Sequence, residues 1–121
     1  MSSDATTALA ITVTDNEAET VVRLQGRVTV DSSPDLRARL LELLKRPCPS
    51  TIAIEMSDLT YLDFSGIATL IEALRNARRR NIKLQLRGLH DGPRHLLEVA
   101  GLLSLFDTDG QKNDHFPAEV Q

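Results

Sequence analysis

A carboxylate, a hydroxyl and a glycine stand close together in residues 60–70, TYLDFSGIATL. Asp63 and Ser65 flank Phe64, and Gly66 follows, at a point where an apolar strand pattern gives way to an apolar helix pattern. Asp and Ser both suit a helix start, because their oxygens accept hydrogen bonds from backbone N–H groups that lack a helical partner. Gly66 offers room for a partner or a modifying enzyme to approach the backbone. Local chemistry therefore leaves two interpretations of Ser65, a helix cap or a functional hydroxyl.

The motifs of common enzyme classes are missing from the chain. It has neither GxGxxG nor GxxxxGK[ST], and LDFSG does not fit the G-x-S-x-G nucleophile elbow. A triad of Ser65 with one of the histidines, His90, His95 or His115, stays open as an alternative. His90 and His95 lie five apart across a Gly-Pro turn, a poor spacing for metal ligands, which favours two surface residues. The single cysteine, Cys48, is read as a packing or loop residue, with a catalytic thiol as the alternative. We therefore expect a non-enzyme that uses no cofactor and no metal.

Length and charge narrow the range of partners. The chain has 121 residues, which suits one domain, and a formal charge of −3 that gives no electrostatic footprint for nucleic acid. No run approaches the roughly 18 apolar residues of a membrane helix. The first residues, MSSDATTALA, lack the basic start and apolar stretch of a secretory signal. One cysteine fits a reducing compartment. We expect a cytoplasmic domain without direct nucleic-acid binding or membrane insertion.

The spacing of apolar residues predicts the order β-β-α-β-α-β-α, with an eighth element, a short strand or turn, at 101–107. Two strands of a hairpin precede a helix with Ser33 as its predicted N-cap and Pro34 as its first-turn proline. TIAIEM is the next strand, SGIATLIEALRNARRR the next helix and NIKLQLRG the next strand, and Pro93 opens a short third helix. We assign the whole chain, 1–121, to one domain with an ordered core at about 9–109. Residues 1–7 and 110–121 are expected to be loose.

The alternation within KLQLR predicts how the helices are arranged. A parallel sheet covered on both faces reads as continuous apolar runs, whereas this strand carries a polar residue at every second position. We therefore predict an α+β fold, an α/β-type layer in which a mixed sheet carries its helices mainly on one face.

Several segments in this order resemble the STAS domain family, in particular the small free-standing bacterial anti-sigma-factor antagonists. VVRLQGRVTVDSSPDLRARLLELL is similar to the family's strand–Gly–strand–helix opening. IAIEMSDLTYLDFSGIATLIEAL resembles its central strand and Asp-x-Ser-Gly signature, and IKLQLRGLHDGPRHLLEVAGLLSLF resembles its closing strand, turn and helix. The resemblance spans about residues 9–109 and implies a STAS-like fold.

The resemblance also implies a function. In family members that act as switches, the serine before the signature glycine is phosphorylated, and that position here is Ser65. An anti-sigma factor that is also a serine kinase would modify Ser65, and a metal-dependent serine phosphatase would reverse the reaction. The unmodified form would bind the kinase and free a sigma factor. The expected partner-binding residues are Asp63, Phe64, Gly66, Thr29, Asp31 and Ser32.

Two positions depart from the family pattern. Phe64 replaces a small hydroxyl residue, and we expect its side chain to point inward or to be partly buried. The acidic residue that the family carries after the glycine of the second strand would fall near Thr29, so Asp31 is the candidate for that role. The alternative function is a non-switching STAS subunit of a larger complex, such as a lipid-transport ABC assembly or a stress-signalling scaffold, in which Ser65 is a contact or a cap only.

Overall fold

The computed structural model describes residues 9–46, 50–101 and 107–108. Eight elements lie in these ranges: β1 (Leu9–Asp15), β2 (Glu19–Val28), α1 (Ser33–Lys45), β3 (Thr51–Leu62), α2 (Phe64–Arg79), β4 (Lys83–Arg87), α3 (Asp91–Val99) and β5 (Asp107–Thr108). Our expectations for Cys48, His115, the first seven residues and the final tail concern residues outside these ranges, as does most of the predicted last element. None of the helices in the described ranges combines the length and the apolar composition that crossing a membrane requires.

The sheet is mixed, with its five strands in the order β1-β2-β3-β4-β5. The first two strands form the predicted antiparallel hairpin, and the remaining neighbours pair in parallel. A polar turn joins the hairpin strands, where the Asn16 side chain accepts hydrogen bonds from the backbone N–H groups of Ala18 and Glu19. The parallel strands bring the carboxyl ends of β2 and β3 to the same edge of the sheet.

The helices cover one face, as predicted. The apolar residues of α1 recur at helical spacing and are buried at Leu36, Leu40, Leu43 and Leu44, and α1 contacts α2. One core cluster joins these helices to the inward residues of β2, β3 and β4, and Leu97 adds α3 to it. On the opposite face, the exposed side chains of Arg23 and Gln25 alternate with the buried Val22 and Leu24. The polar positions of KLQLR are less buried than its two leucines and belong to the face opposite the core.

Three boundaries differ from the predictions. β3 runs six residues beyond TIAIEM and ends at Leu62, because its pairing with β2 continues as far as Val28. It carries an extra residue at two irregularities, which break the period-2 pattern used to find strands. The N-cap position of α1 is Ser32, one residue before the predicted Ser33. The helix α3 begins at Asp91, two residues before Pro93.

Candidate functional site

The start of α2 holds Asp63 and Ser65 in one hydrogen-bonded cluster. Asp63 occupies the N-cap position with extended backbone angles, φ −108° and ψ −173°. Its Oδ1 accepts a hydrogen bond from the backbone N–H of Ser65 at 2.9 Å and a second from that of Gly66 at 3.2 Å. The Ser65 hydroxyl donates a third, short hydrogen bond to the same oxygen. One carboxylate oxygen therefore caps the helix and orients the hydroxyl.

This arrangement keeps Asp63 ionised. Partial burial by itself raises the pKa of the carboxyl group, but the hydrogen bonds from the Ser65 hydroxyl and from the N–H groups of Gly66 and Ser65 outweigh it. The net result is a pKa below the ordinary value for aspartate. Ser65 is half-buried, and its carbonyl oxygen accepts a hydrogen bond from Thr69 Oγ1 at 3.0 Å. The Ser65 hydroxyl is therefore oriented, and hydrogen bonds hold both the N–H and the carbonyl of the same residue.

Gly66 is a glycine because of packing inside the protein. It is buried, and a Cβ atom there would collide with Leu62 Cδ1 and approach Val28 Cγ1 to 2.7 Å. The sequence suggested that the missing side chain leaves room for a partner to reach the backbone. The structure corrects that interpretation, since the space is filled by side chains at the ends of β2 and β3.

Phe64 points outward, so the prediction of an inward or partly buried side chain was wrong. Its side chain is 62% exposed. The reason is local geometry: Phe64 is the first residue of α2, while Gly66, Ile67 and Leu70 supply the buried side of that helix. Phe64 is therefore not one of the residues through which α2 packs on the core.

Two further apolar side chains are exposed at this end of the sheet, and the sequence analysis missed both. Val30, just after β2, is 68% exposed, and Tyr61, near the end of β3, is 44% exposed. The Arg27 guanidinium carbon lies 4.8 Å from the centre of the Tyr61 ring. A signal was available for Tyr61, because it is next to the buried Leu62 and neighbouring strand residues face opposite ways. Val30 lies beyond the end of β2, where this alternation gives no prediction. We call Val30, Tyr61 and Phe64 the apolar trio.

The three predicted residues of the loop after β2 differ in how far their side chains are exposed to solvent. Ser32 is buried, its hydroxyl donates to the carbonyl of Arg27 at 2.8 Å, and its oxygen accepts from the N–H of Thr29. Thr29 is half-buried, and its hydroxyl oxygen accepts from the N–H of Asp31 at 3.1 Å. Asp31 is exposed. Ser32 and Thr29 therefore hold the shape of the loop, and Asp31 is the one of the three whose side chain is open to solvent.

A backbone contact ties this loop to the start of α2. Val28 and Leu62 are register partners, and the N–H of Asp63 donates to the carbonyl of Val28 at 3.2 Å. Since the loop begins at Thr29, the predicted residues of the loop and of the Asp-x-Ser-Gly segment share one end of the sheet. The sequence-based grouping of these residues is consistent with this backbone arrangement.

An open groove of about 360 Å³ runs from this end of the sheet towards α3. It is lined by Thr60, Tyr61, Leu62, Asp63, Phe64, Gly92, Pro93, His95 and Leu96. His90 and His95 are both exposed, and His90 Nε2 lies within hydrogen-bonding distance of the Ser57 carbonyl. Among the described residues, no group of three His, Cys, Asp or Glu side chains is placed to hold a metal ion.

Comparison with known proteins gives the family. A family model described as Mlab, STAS domain matches residues 11–106. The chain belongs to the STAS domain family. The match covers every strand and helix described above except the first two residues of β1 and the last two-residue strand. The resemblance inferred from the Asp-x-Ser-Gly segment and its neighbours is confirmed.

Similar proteins are anti-sigma-factor antagonists. The anti-sigma-B factor antagonist of Bacillus subtilis (strain 168) is 25% identical over 97 residues, which are 80% of this chain and 87% of that protein. The structure of an anti-sigma factor antagonist from Mycobacterium paratuberculosis matches with a TM-score of 0.76 at 17% identity, over 88% of this chain and 89% of that one. The Bacillus cell fate determinant SpoIIAA in its phosphorylated form matches with a TM-score of 0.66 at 17% identity, over 87% and 94%. These structural matches confirm the STAS-like fold.

Proposed function

We propose that this protein is an anti-sigma-factor antagonist that is switched by phosphorylation of Ser65. The observation that carries the proposal is the Ser65 hydroxyl at the start of α2, beside an exposed Phe64, in a STAS chain whose relatives include anti-sigma-factor antagonists. One structural neighbour, SpoIIAA, has a structure in its phosphorylated form, which supports the proposal that a chain with this fold can be phosphorylated.

The surface around Ser65 suits a protein partner. The apolar trio offers aromatic and aliphatic contact area, and side chains of these kinds dominate the buried centres of protein interfaces. Asp31 and Asp63 add acidic groups at the same end of the sheet. In the unphosphorylated state the partner meets a neutral hydroxyl among these groups, and an anti-sigma factor binds there.

Phosphorylation changes the charge of this surface. A phosphate brings roughly −1.5 to −2 charges to Ser65, next to the ionised Asp63. A docked partner would have to desolvate that charge against the apolar trio, and like-charge juxtaposition across an interface costs several kcal/mol. The phosphorylated form therefore releases the anti-sigma factor, which then recaptures its sigma factor.

The chemistry belongs to the partners. An anti-sigma factor with serine kinase activity supplies the ATP site and the base, and a metal-dependent serine phosphatase restores the hydroxyl. The chain itself acts in the cytoplasm as a binding module, not as an enzyme, and needs no cofactor. It binds neither nucleic acid nor membrane directly.

Phosphorylation by the cognate kinase tests the proposal. Incubation with that kinase and ATP should add one phosphate, which peptide mapping by mass spectrometry locates on Ser65. Ser65→Ala should bind the kinase but accept no phosphate, and ATP should no longer release it. Thr69→Ala is a matched control, because Thr69 carries a hydroxyl one helical turn away. A phosphate mapped elsewhere, or a Ser65→Ala protein that ATP still releases, would refute the switch.

A second function is favoured by one specific observation. Phe64 stands where switching members carry a small hydroxyl residue, and its exposed ring suits a permanent contact. In that case the chain is a non-switching STAS subunit of a larger complex, such as a lipid-transport ABC assembly or a stress-signalling scaffold. Affinity purification from the native cell separates the two functions. A stoichiometric ATPase subunit that remains bound to both wild type and Ser65→Glu would favour the second.

A further inference from the structure

The Ser65 hydroxyl and two backbone N–H groups share one acceptor. Oδ1 of Asp63 receives the N–H of Ser65 at 2.9 Å, the N–H of Gly66 at 3.2 Å and the Ser65 hydroxyl. All three donors point to the same small region at the positive end of α2. A phosphate on Ser65 would be attached within this region.

Phosphoryl transfer removes one of the donors and adds competing acceptors. The Ser65 oxygen forms a bond to the γ-phosphorus of ATP, the bond from that phosphorus to the β–γ bridging oxygen breaks, and ADP leaves. The hydroxyl proton passes to a base on the kinase. The Ser65 oxygen is then an ester oxygen that has no proton to donate, so its bond to Asp63 is lost. Three phosphate oxygens now lie beside the carboxylate that held the hydroxyl.

We infer that phosphorylation of Ser65 displaces the Asp63 side chain from the start of α2, and that the phosphate takes over its two N–H donors. This inference rests on the proposed function and adds a structural step to it. The phosphate carries more negative charge than the carboxylate and offers more acceptor oxygens, so it is the stronger ligand for the same N–H groups. Asp63, still ionised, turns towards solvent.

The backbone around the cluster holds its place during this exchange. The N–H of Asp63 donates to the carbonyl of Val28 at 3.2 Å, and the carbonyl of Asp63 accepts from the N–H groups of Gly66 and Ile67 at 3.0 and 3.1 Å. Gly66 is packed against Val28 and Leu62. The backbone therefore stays in place while the Asp63 side chain turns towards solvent. The partner then meets two new negative groups, the phosphate and the released carboxylate.

A thermal unfolding cycle tests the competition without any kinase. Phosphoserine is incorporated at position 65 by genetic encoding, in the wild-type chain and in Asp63→Asn. Asparagine suits this test because it still caps a helix and its amide can donate to a phosphate. Phosphorylation should raise the Tm of Asp63→Asn by several degrees more than that of the wild type, because in the wild type the new phosphate contacts are offset by the loss of the carboxylate cap.

Asp35→Asn is the matched control, because Asp35 is an exposed carboxylate in the first turn of α1. Its response to phosphoserine at position 65 should equal that of the wild type. Equal Tm changes in the wild type and Asp63→Asn would show that the phosphate and Asp63 do not compete, and would overturn the inference.

Carbon-detected NMR of the Asp63 carboxyl group supplies a second readout that a change in stability alone would not move. On phosphorylation its titration midpoint should rise by a unit or more, a tenfold change in proton affinity, as the donors leave and a negative group arrives. An unchanged midpoint, together with amide N–H groups of Ser65 and Gly66 that are still hydrogen-bonded to Asp63, would overturn the inference. Both readouts use encoded phosphoserine, so a chain that no cellular kinase modifies would defeat the proposed function alone.

Discussion

At the residue scale, Asp63 connects stability with recognition. Its carboxylate accepts the N–H of Ser65, shares the N–H of Gly66 with the Asp63 carbonyl, and also fixes the direction of the Ser65 hydroxyl. The sequence predicted both residues as helix-start residues, because their types suit that position. It did not show that they bond to each other, since that depends on side-chain rotamers which the residue order leaves open.

Replacing Asp63 tests the cap. Asp63→Ala should lower the free energy of unfolding by about 1 kcal/mol near neutral pH, the usual effect of losing a helix N-cap, and Asp63→Asn should lower it less. Because the folded-state pKa of Asp63 is lowered, its charged cap contributes above about pH 4 and is lost as the pH falls through the folded pKa. Urea unfolding at several pH values should therefore show the gap between wild type and Asp63→Asn closing in acid. A gap that stays constant below pH 4 would mean that the charge of Asp63 does not contribute.

At the element scale, the start of α2 is set by its contact with two strand ends. The helix period predicts an apolar stripe on α2 at Ile67, Leu70, Ile71 and Leu74. All of these are buried except Ile71, which is half-buried. The same pattern could not indicate that Gly66 faces Val28, a residue 38 positions earlier, because that contact depends on the register of β2 against β3. The outward direction of Phe64 has the same origin, since it follows from which residues the strands cover.

Two glycines in helices separate this packing effect from helix propensity. Gly66→Ala should destabilise the protein by about 1–2 kcal/mol, because the new methyl group overpacks Val28 and Leu62 and the helix gains at most about 1 kcal/mol. Gly92→Ala, in the first turn of α3, meets no atom within 4 Å and should be neutral or stabilising. Urea midpoints of the two variants give the comparison. If Gly66→Ala also proved neutral, the close packing of α2 on β2 and β3 would be wrong.

At the scale of the whole molecule, the sheet separates a buried face from a polar one. The alternation of KLQLR predicted this division, because a one-sided sheet requires it. The sequence could not show how the polar face is held together. Arg87 on β4 bonds through two nitrogens to Glu19 on β2, so the pair crosses β3 at the level of Ala53, which is fully buried.

This ion pair gives the last prediction, for Glu19→Gln, which keeps the side-chain volume and removes the charge. The Glu19 pKa is lowered, first by the hydrogen bond from Arg87, so the pair stabilises the fold above about pH 4 and its contribution fades as the pH falls. The side chains are 30% and 23% exposed, so solvent screens the pair, and we expect the substitution to lower the free energy of unfolding only modestly at neutral pH and low salt. At 1 M salt, where the Debye length is about 3 Å, urea unfolding should show a smaller difference from wild type. Glu42→Gln, an exposed carboxylate on α1, is the matched control and should change stability little at either salt concentration. An equal cost for Glu19→Gln at both concentrations would mean that packing over Ala53, and not the charge of the pair, holds the polar face of the sheet.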